Sequence, residues 1–159
     1  MNSKKNIESG SLINKHVAVP PGLEHNLGFL LNKAARIMRE DVAESLKPLS
    51  LTFQEYVILR MIDHQIVDTQ HELAVRNDID RTTMVDLIDR LEERELLTRQ
   101  KDTLDRRKYK ILMTTKGRKT LTHAKRLTEK AQKKLIEPLS EVELTVVKEA
   151  LIKLISVRP

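Results

Sequence analysis

The 159-residue chain is 40% apolar and 33% charged, and Lys plus Arg exceed Asp plus Glu by 29 to 23, a formal net charge of +6. Aromatics are only 3% and Gly and Pro number four and five, so aliphatic side chains must build the core, which favours packed helices over an all-β fold. Without cysteine, disulfides, thiolate zinc sites and thiol redox sensing are excluded. No stretch approaches a membrane span and no apolar signal core stands at the N-terminus, so the expectation is a cytoplasmic protein.

The length suits one compact domain. Residues 1–22 are polar, end in Pro20-Pro21-Gly22 and read as a flexible arm. From about Glu24 to Lys47, Leu27, Leu30, Leu31, Ala34, Ala35, Met38, Val42 and Leu46 recur at helical spacing, and Pro48 stops the run. Thr52-Phe53-Gln54-Glu55 has the pattern of a capping box and predicts a helix to about His64, with Tyr56, Val57, Leu59 and Ile62 inward. Thr69-Gln70-His71-Glu72 repeats the pattern before a short helix burying Leu73 and Ala74, which ends at Asn77-Asp78.

Asp80 is the predicted N-cap of the next helix, whose Met84, Leu87, Ile88 and Leu91 stand at i, i+3, i+4 and i+7. Its other face carries Arg81, Thr82, Thr83, Asp86 and Arg90. Two helices joined by a short turn, the second with a small, polar and basic tip, predict a helix-turn-helix whose tip reaches base edges. Two strand-like runs follow, Leu96 to Lys101 and Lys108 to Thr114, joined through Asp102-Thr103-Leu104-Asp105-Arg106-Arg107. A basic hairpin there is a wing. Thr114 or Thr115 caps a long helix from about Lys116 to Glu137, and Ser140 caps a last one with Val142, Leu144, Val147, Leu151, Leu154 and Ile155 apolar.

Charge follows the same map. Residues 1–93 hold 11 basic and 15 acidic side chains, whereas residues 94–119 hold 10 basic and 3 acidic. A cationic excess concentrated on a hairpin has the form of a phosphate-binding footprint. Arg81, Thr82 and Thr83 are the candidates for base and phosphate contacts, with one of the two threonines engaged in the cap. Asp86 is placed to accept from a cytosine amine or to hold Arg90. Arg90, Arg99, Lys101, Arg106, Lys108 and Lys110 are candidate phosphate partners.

Taken in order, Asp80-Arg81-Thr82-Thr83-Met84-Val85, Asp89-Arg90-Leu91-Glu92, Asp105-Arg106-Arg107 and Met113-Thr114-Thr115-Lys116-Gly117 resemble the MarR family of multiple antibiotic resistance regulators. The resemblance runs from about Leu27 to Ile155. It implies a mainly α fold, a winged helix-turn-helix in the order α-α-α-α-β-β-α-α, with a DNA-binding lobe at 52–115 and dimerisation helices at 24–47 and 116–157 within a single domain at 23–159. It implies a homodimeric, ligand-responsive repressor of a near-palindromic duplex operator, with no enzymatic activity and no cofactor. Arg107, held by Asp105, would enter a minor groove, where a narrow groove concentrates negative potential.

A small aromatic or anionic effector is implied, with Phe29, Arg36, Met38 and Tyr56 as candidate lining. The family usually has Gly where this chain has Asp78 and Glu95, so both are expected in a backbone conformation unusual for a side chain. No metal site is expected from Glu24, His25, Asp63, His64, Asp68, His71, Glu72 or His123, since no tight ligand spacing joins them. The rival reading is a winged-helix module whose basic face binds an acidic protein.

Overall fold

The computed structural model describes residues 19–64, 69–101 and 109–157. It divides into two compact units, Met1–Ile37 and Met38–Pro159. Helix α1 (Leu27–Leu46) begins in the first, where Asn26 Oδ1 accepts from the Phe29 N–H at 2.8 Å. The second unit holds its last turns, with Val42 and Leu46 buried, then α2 (Phe53–Asp63), α3 (Gln70–Arg76), α4 (Arg81–Glu93), β1 (Leu97–Lys101), β2 (Tyr109–Met113), α5 (Thr115–Ile136) and α6 (Glu141–Ser156). This is a winged helix-turn-helix in the expected element order. The N-terminal arm lies outside the described residues up to residue 18.

Local chemistry sets the helix starts. At α2, Thr52 Oγ1 accepts from the Glu55 N–H at 3.2 Å while Glu55 Oε2 accepts from the Thr52 N–H at 2.9 Å, closing the capping box. Ser140 and Glu143 form a second such box at α6. Of the two threonines considered for α5, Thr114 is the cap, accepting from the Gly117 N–H at 2.9 Å.

Helix ends are equally specific. After α3, the Ile79 N–H reaches Ala74 O at 3.0 Å and the Asp78 N–H reaches Val75 O at 3.3 Å, with Asp78 at φ 50°. After α4, the Leu96 N–H reaches Leu91 O at 2.9 Å and the Glu95 N–H reaches Glu92 O at 2.8 Å, with Glu95 at φ 60°. Both are Schellman closures, in which the left-handed residue is usually glycine. Both positions expected in an unusual backbone conformation adopt it, Asp78 the more easily because Asp visits the left-handed region more readily than most side chains.

The core joins α2, α3, α4, the hairpin and α5 through Ile58, Leu59, Leu73, Met84, Ile88, Leu91, Leu97, Ile111 and Leu121. Predicted inward positions on α4 are all buried; on α2, Ile58 is buried and Val57 only half-buried. The two residues are neighbours, both β-branched, and a helical pattern alone does not separate them. The hairpin pairs β1 and β2 antiparallel, Leu97 opposite Met113 and Lys101 opposite Tyr109. A single bridge between Thr69 and Lys110 adds a third, one-residue strand ahead of α3.

Candidate nucleic-acid interface

The first turn of α4 is built by its cap. Asp80 Oδ1 accepts from the Thr83 N–H at 3.0 Å and Asp80 Oδ2 accepts from the Thr83 hydroxyl at 2.6 Å. These bonds, the hydroxyl first, hold the Asp80 carboxyl below its usual pKa. Thr83 is thus the threonine tied into the cap, and Thr82 and Arg81 stand exposed beside it. A helix N-terminus offers unsatisfied N–H groups and a partial positive charge, the chemistry that suits a phosphate. Asp86 is exposed further along the helix.

Beyond that tip Arg90, Arg94 and Arg99 are internally engaged. Arg90 Nε donates to Glu55 Oε1 at 3.3 Å, so α2, and not Asp86, supplies its carboxylate. The same buried Glu55, 3% exposed, has Arg94 Nη1 within 3.7 Å of its other oxygen. Arg94 also donates to Leu49 O and Ser50 O, both at 2.8 Å. Sequence reasoning took Glu55 only as a cap and overlooked Arg94. On β1, Arg99 meets Asp89, Glu92 and Gln70 rather than solvent.

Lys101 and Lys110 are exposed on the two strands of the hairpin. Asp105, Arg106, Arg107 and Lys108 lie outside the described residues. Glu95 sits at the α4–β1 turn, where Lys116 Nζ approaches its carboxylate at 2.9 Å and lowers its pKa. The Thr114 hydroxyl donates to Glu95 O at 2.6 Å, so the turn and the start of α5 are joined twice.

A second feature lies between α2 and α5. Arg60 Nη1 donates to the Tyr56 hydroxyl oxygen at 3.0 Å, and Thr128 Oγ1 donates to Lys125 O at 3.0 Å. The Tyr56 hydroxyl therefore gives its own proton to Thr128 Oγ1, 3.0 Å away. This chain borders a hollow of about 350 Å³ lined by Phe53, Tyr56, Val57, Arg60, His64 and Gln132. The Arg60 Nε is buried with no hydrogen-bond partner among the described residues. Of the four expected effector contacts, Tyr56 lines this hollow and Met38 packs against the core. Phe29 and Arg36 belong to the first unit, where Lys33 Nζ stands 5.8 Å from the Phe29 ring centroid. Arg60 was missed at the sequence level, where nothing distinguished it from a surface cation. Among the described residues no three His, Asp or Glu side chains converge as metal ligands.

The sequence model of the MarR family matches residues 51–109. Among solved structures, CouR from Rhodococcus jostii RHA1, bound to p-coumaroyl-CoA, is 27% identical over 87% of this chain and 97% of that one, with a TM-score of 0.77. A MarR-family transcriptional regulator from Rhodococcus sp. RHA1 is 27% identical over 82% and 93%, with a TM-score of 0.76. The Mycobacterium tuberculosis MarR family protein Rv2887, in its complex with DNA, is 26% identical over 80% and 96%, with a TM-score of 0.68; a complex of Rv2887 with salicylic acid is a further match. The MarR-family match thus spans the helix-turn-helix and β1, and the chain has the winged helix-turn-helix fold of MarR-family transcriptional regulators.

Proposed function

We propose that the chain is a cytoplasmic, ligand-responsive repressor that binds a near-palindromic duplex operator as a homodimer. The observation that carries the reading is the tip of α4: a carboxylate-capped helix start with Arg81 and Thr82 exposed, followed directly by a two-stranded hairpin. Arg81, Thr82 and Asp86 face base edges, and Thr83 holds the tip in shape. Lys101, Arg106, Lys108 and Lys110 supply phosphate contacts, and Arg107, braced by Asp105, enters the minor groove. Rv2887 in complex with DNA supports the reading of the chain as a DNA binder.

Dimerisation is supported by α6. None of its residues is buried, although Val142, Val146, Val147, Ile152, Leu154 and Ile155 are all apolar and exposed. A helix that hides nothing within its own chain gains its stability from another surface. Two subunits set about 34 Å apart then place both tips in successive major grooves.

The effector is a small aromatic anion seated at the α2–α5 hollow, its carboxylate taken by the Arg60 guanidinium and its ring by Phe53 and Tyr56. The hollow lies within the size range of small-molecule sites, and Rv2887 carries salicylic acid, an aromatic acid of this kind. A gel shift with a duplex enriched from a random pool tests the reading. Binding should weaken as salt rises, and salicylate should release it. A protein that enriches no duplex at 50 mM salt refutes it.

A further inference from the structure

One basic residue between α4 and the hairpin is held by carboxylates rather than left open to phosphate. Arg99, on the middle of β1, has a side chain only 23% exposed. Its Nη2 donates to Asp89 Oδ1 at 2.5 Å and to Gln70 Oε1 at 3.3 Å, and its Nη1 donates to Glu92 Oε2. Its backbone N–H donates to the other Glu92 oxygen at 2.9 Å. Asp89 and Glu92 are three residues apart on α4, hence on one face of it, and Gln70 opens α3. One guanidinium therefore joins the hairpin to both helices of the helix-turn-helix.

A phosphate approaching Arg99 would meet two carboxylates already bound to it, and their repulsion opposes that approach. Burial lowers the affinity of the guanidinium for its proton, but the bonds from Asp89 and Glu92 outweigh that and raise it. The fork geometry matters, because a planar guanidinium serves several acceptors at fixed angles and an ammonium does not.

We propose that Arg99 is a positioning residue for DNA binding: it touches no DNA, and it fixes the angle between the hairpin and α4 by bridging Asp89, Glu92 and Gln70. The tip of α4 and the end of the hairpin must meet the duplex together, so a loosened bridge lets one arrive without the other. The inference rests on the reading of α4 and the hairpin as the DNA-binding face, and it replaces the sequence-based role of Arg99 as a phosphate ligand.

The experiment uses the full chain and a duplex enriched by it from a random pool. Arg99→Lys, Arg99→Gln and the double variant Asp89→Asn with Glu92→Gln are compared with the parent between 50 and about 200 mM salt. All three should bind about tenfold more weakly, on the order of one lost base contact, with an unchanged salt slope. Amide exchange in β1 and β2 of the free protein should quicken in each. The double variant separates the roles by sign, since it removes two negative charges yet is expected to weaken binding. Tighter binding by the double variant, or parent-like Arg99→Lys beside an Arg99→Gln whose slope falls by about 0.9, makes Arg99 a phosphate ligand and overturns the proposal. Parent-like affinity in all three overturns it as well. Failure of the parent itself to enrich any duplex removes the DNA-binding reading, and the proposal with it.

Discussion

Gly117 gives the sharpest stability prediction. A Cβ built there would lie 2.1 Å from Leu96 O, 3.0 Å from Leu96 C and 2.8 Å from Met113 Cγ. Ordinary van der Waals contact begins near 3.4 Å, so Gly117→Ala must move backbone on one side by more than an ångström. The carbonyl displaced is no idle group: Leu96 O accepts from the Thr114 N–H at 3.1 Å and shares with Glu95 O the proton of the Thr114 hydroxyl, 3.2 Å away. Overpacking costs about 1–3 kcal/mol and a strained hydrogen bond adds about 1, while alanine returns about 1 through helix propensity. A net loss of about 1–3 kcal/mol is expected.

Urea denaturation at one fixed protomer concentration measures it, since the midpoint of an associating protein depends on concentration. Gly28→Ala is the control: its Cβ would meet only Asn26 Oδ1, at an ordinary 3.6 Å. That variant should be as stable as the parent or gain up to about 1 kcal/mol. A Gly117→Ala protein within about 0.5 kcal/mol of the parent, at an unchanged m-value, would refute the reasoning.

Asp80→Ala removes both bonds that Asp80 accepts from Thr83, and should lower stability by about 1 kcal/mol and speed amide exchange over residues 81–84. Unchanged exchange there would deny the cap its role. Asp63, whose pKa is lowered chiefly by the 2.7 Å bond from Lys125 Nζ, contributes stability above the ordinary carboxylate range and loses it as pH falls through its folded value. Asp63→Asn should therefore melt below the parent at pH 7 and converge with it as pH falls below that folded value; a gap that persists in acid would contradict this. On α6, Ile152→Asp places a charge on a side chain already 63% exposed, so each chain should keep its helicity while sedimentation velocity shows monomers at micromolar concentration. Arg60→Gln should keep duplex binding and lose release by salicylate, read in the same gel shift.

What the sequence exposes well is local. Thr52, Thr69, Asp80 and Ser140 each act on an N–H three residues away, so the pattern lies within one short window. The α4 stripe is legible for a similar reason, a period carried by four strong apolar residues. The partners of the arginines are not. Glu55 and Arg90 are 35 residues apart in sequence, and only the packing of α2 against α4 makes them a pair. Arg99 likewise finds Asp89 and Gln70 on two other elements. A count of basic residues therefore overstates the cation available to DNA, because folding neutralises some of it first. The bridge from Thr69 to Lys110 is a single residue pair and leaves no periodicity to read.

Two left-handed residues, Asp78 and Glu95, stand in the turns that enter and leave α4. Each ends a helix with two crossed bonds, so the chain reverses at a defined residue rather than fraying across several. An added or deleted residue at either bend cannot be absorbed by sliding the helix along its axis, because the bend would then fall on a different side chain. Any change of pitch that an effector imposes on α4 must accordingly carry the rod as a whole, tip and tail turning by one angle.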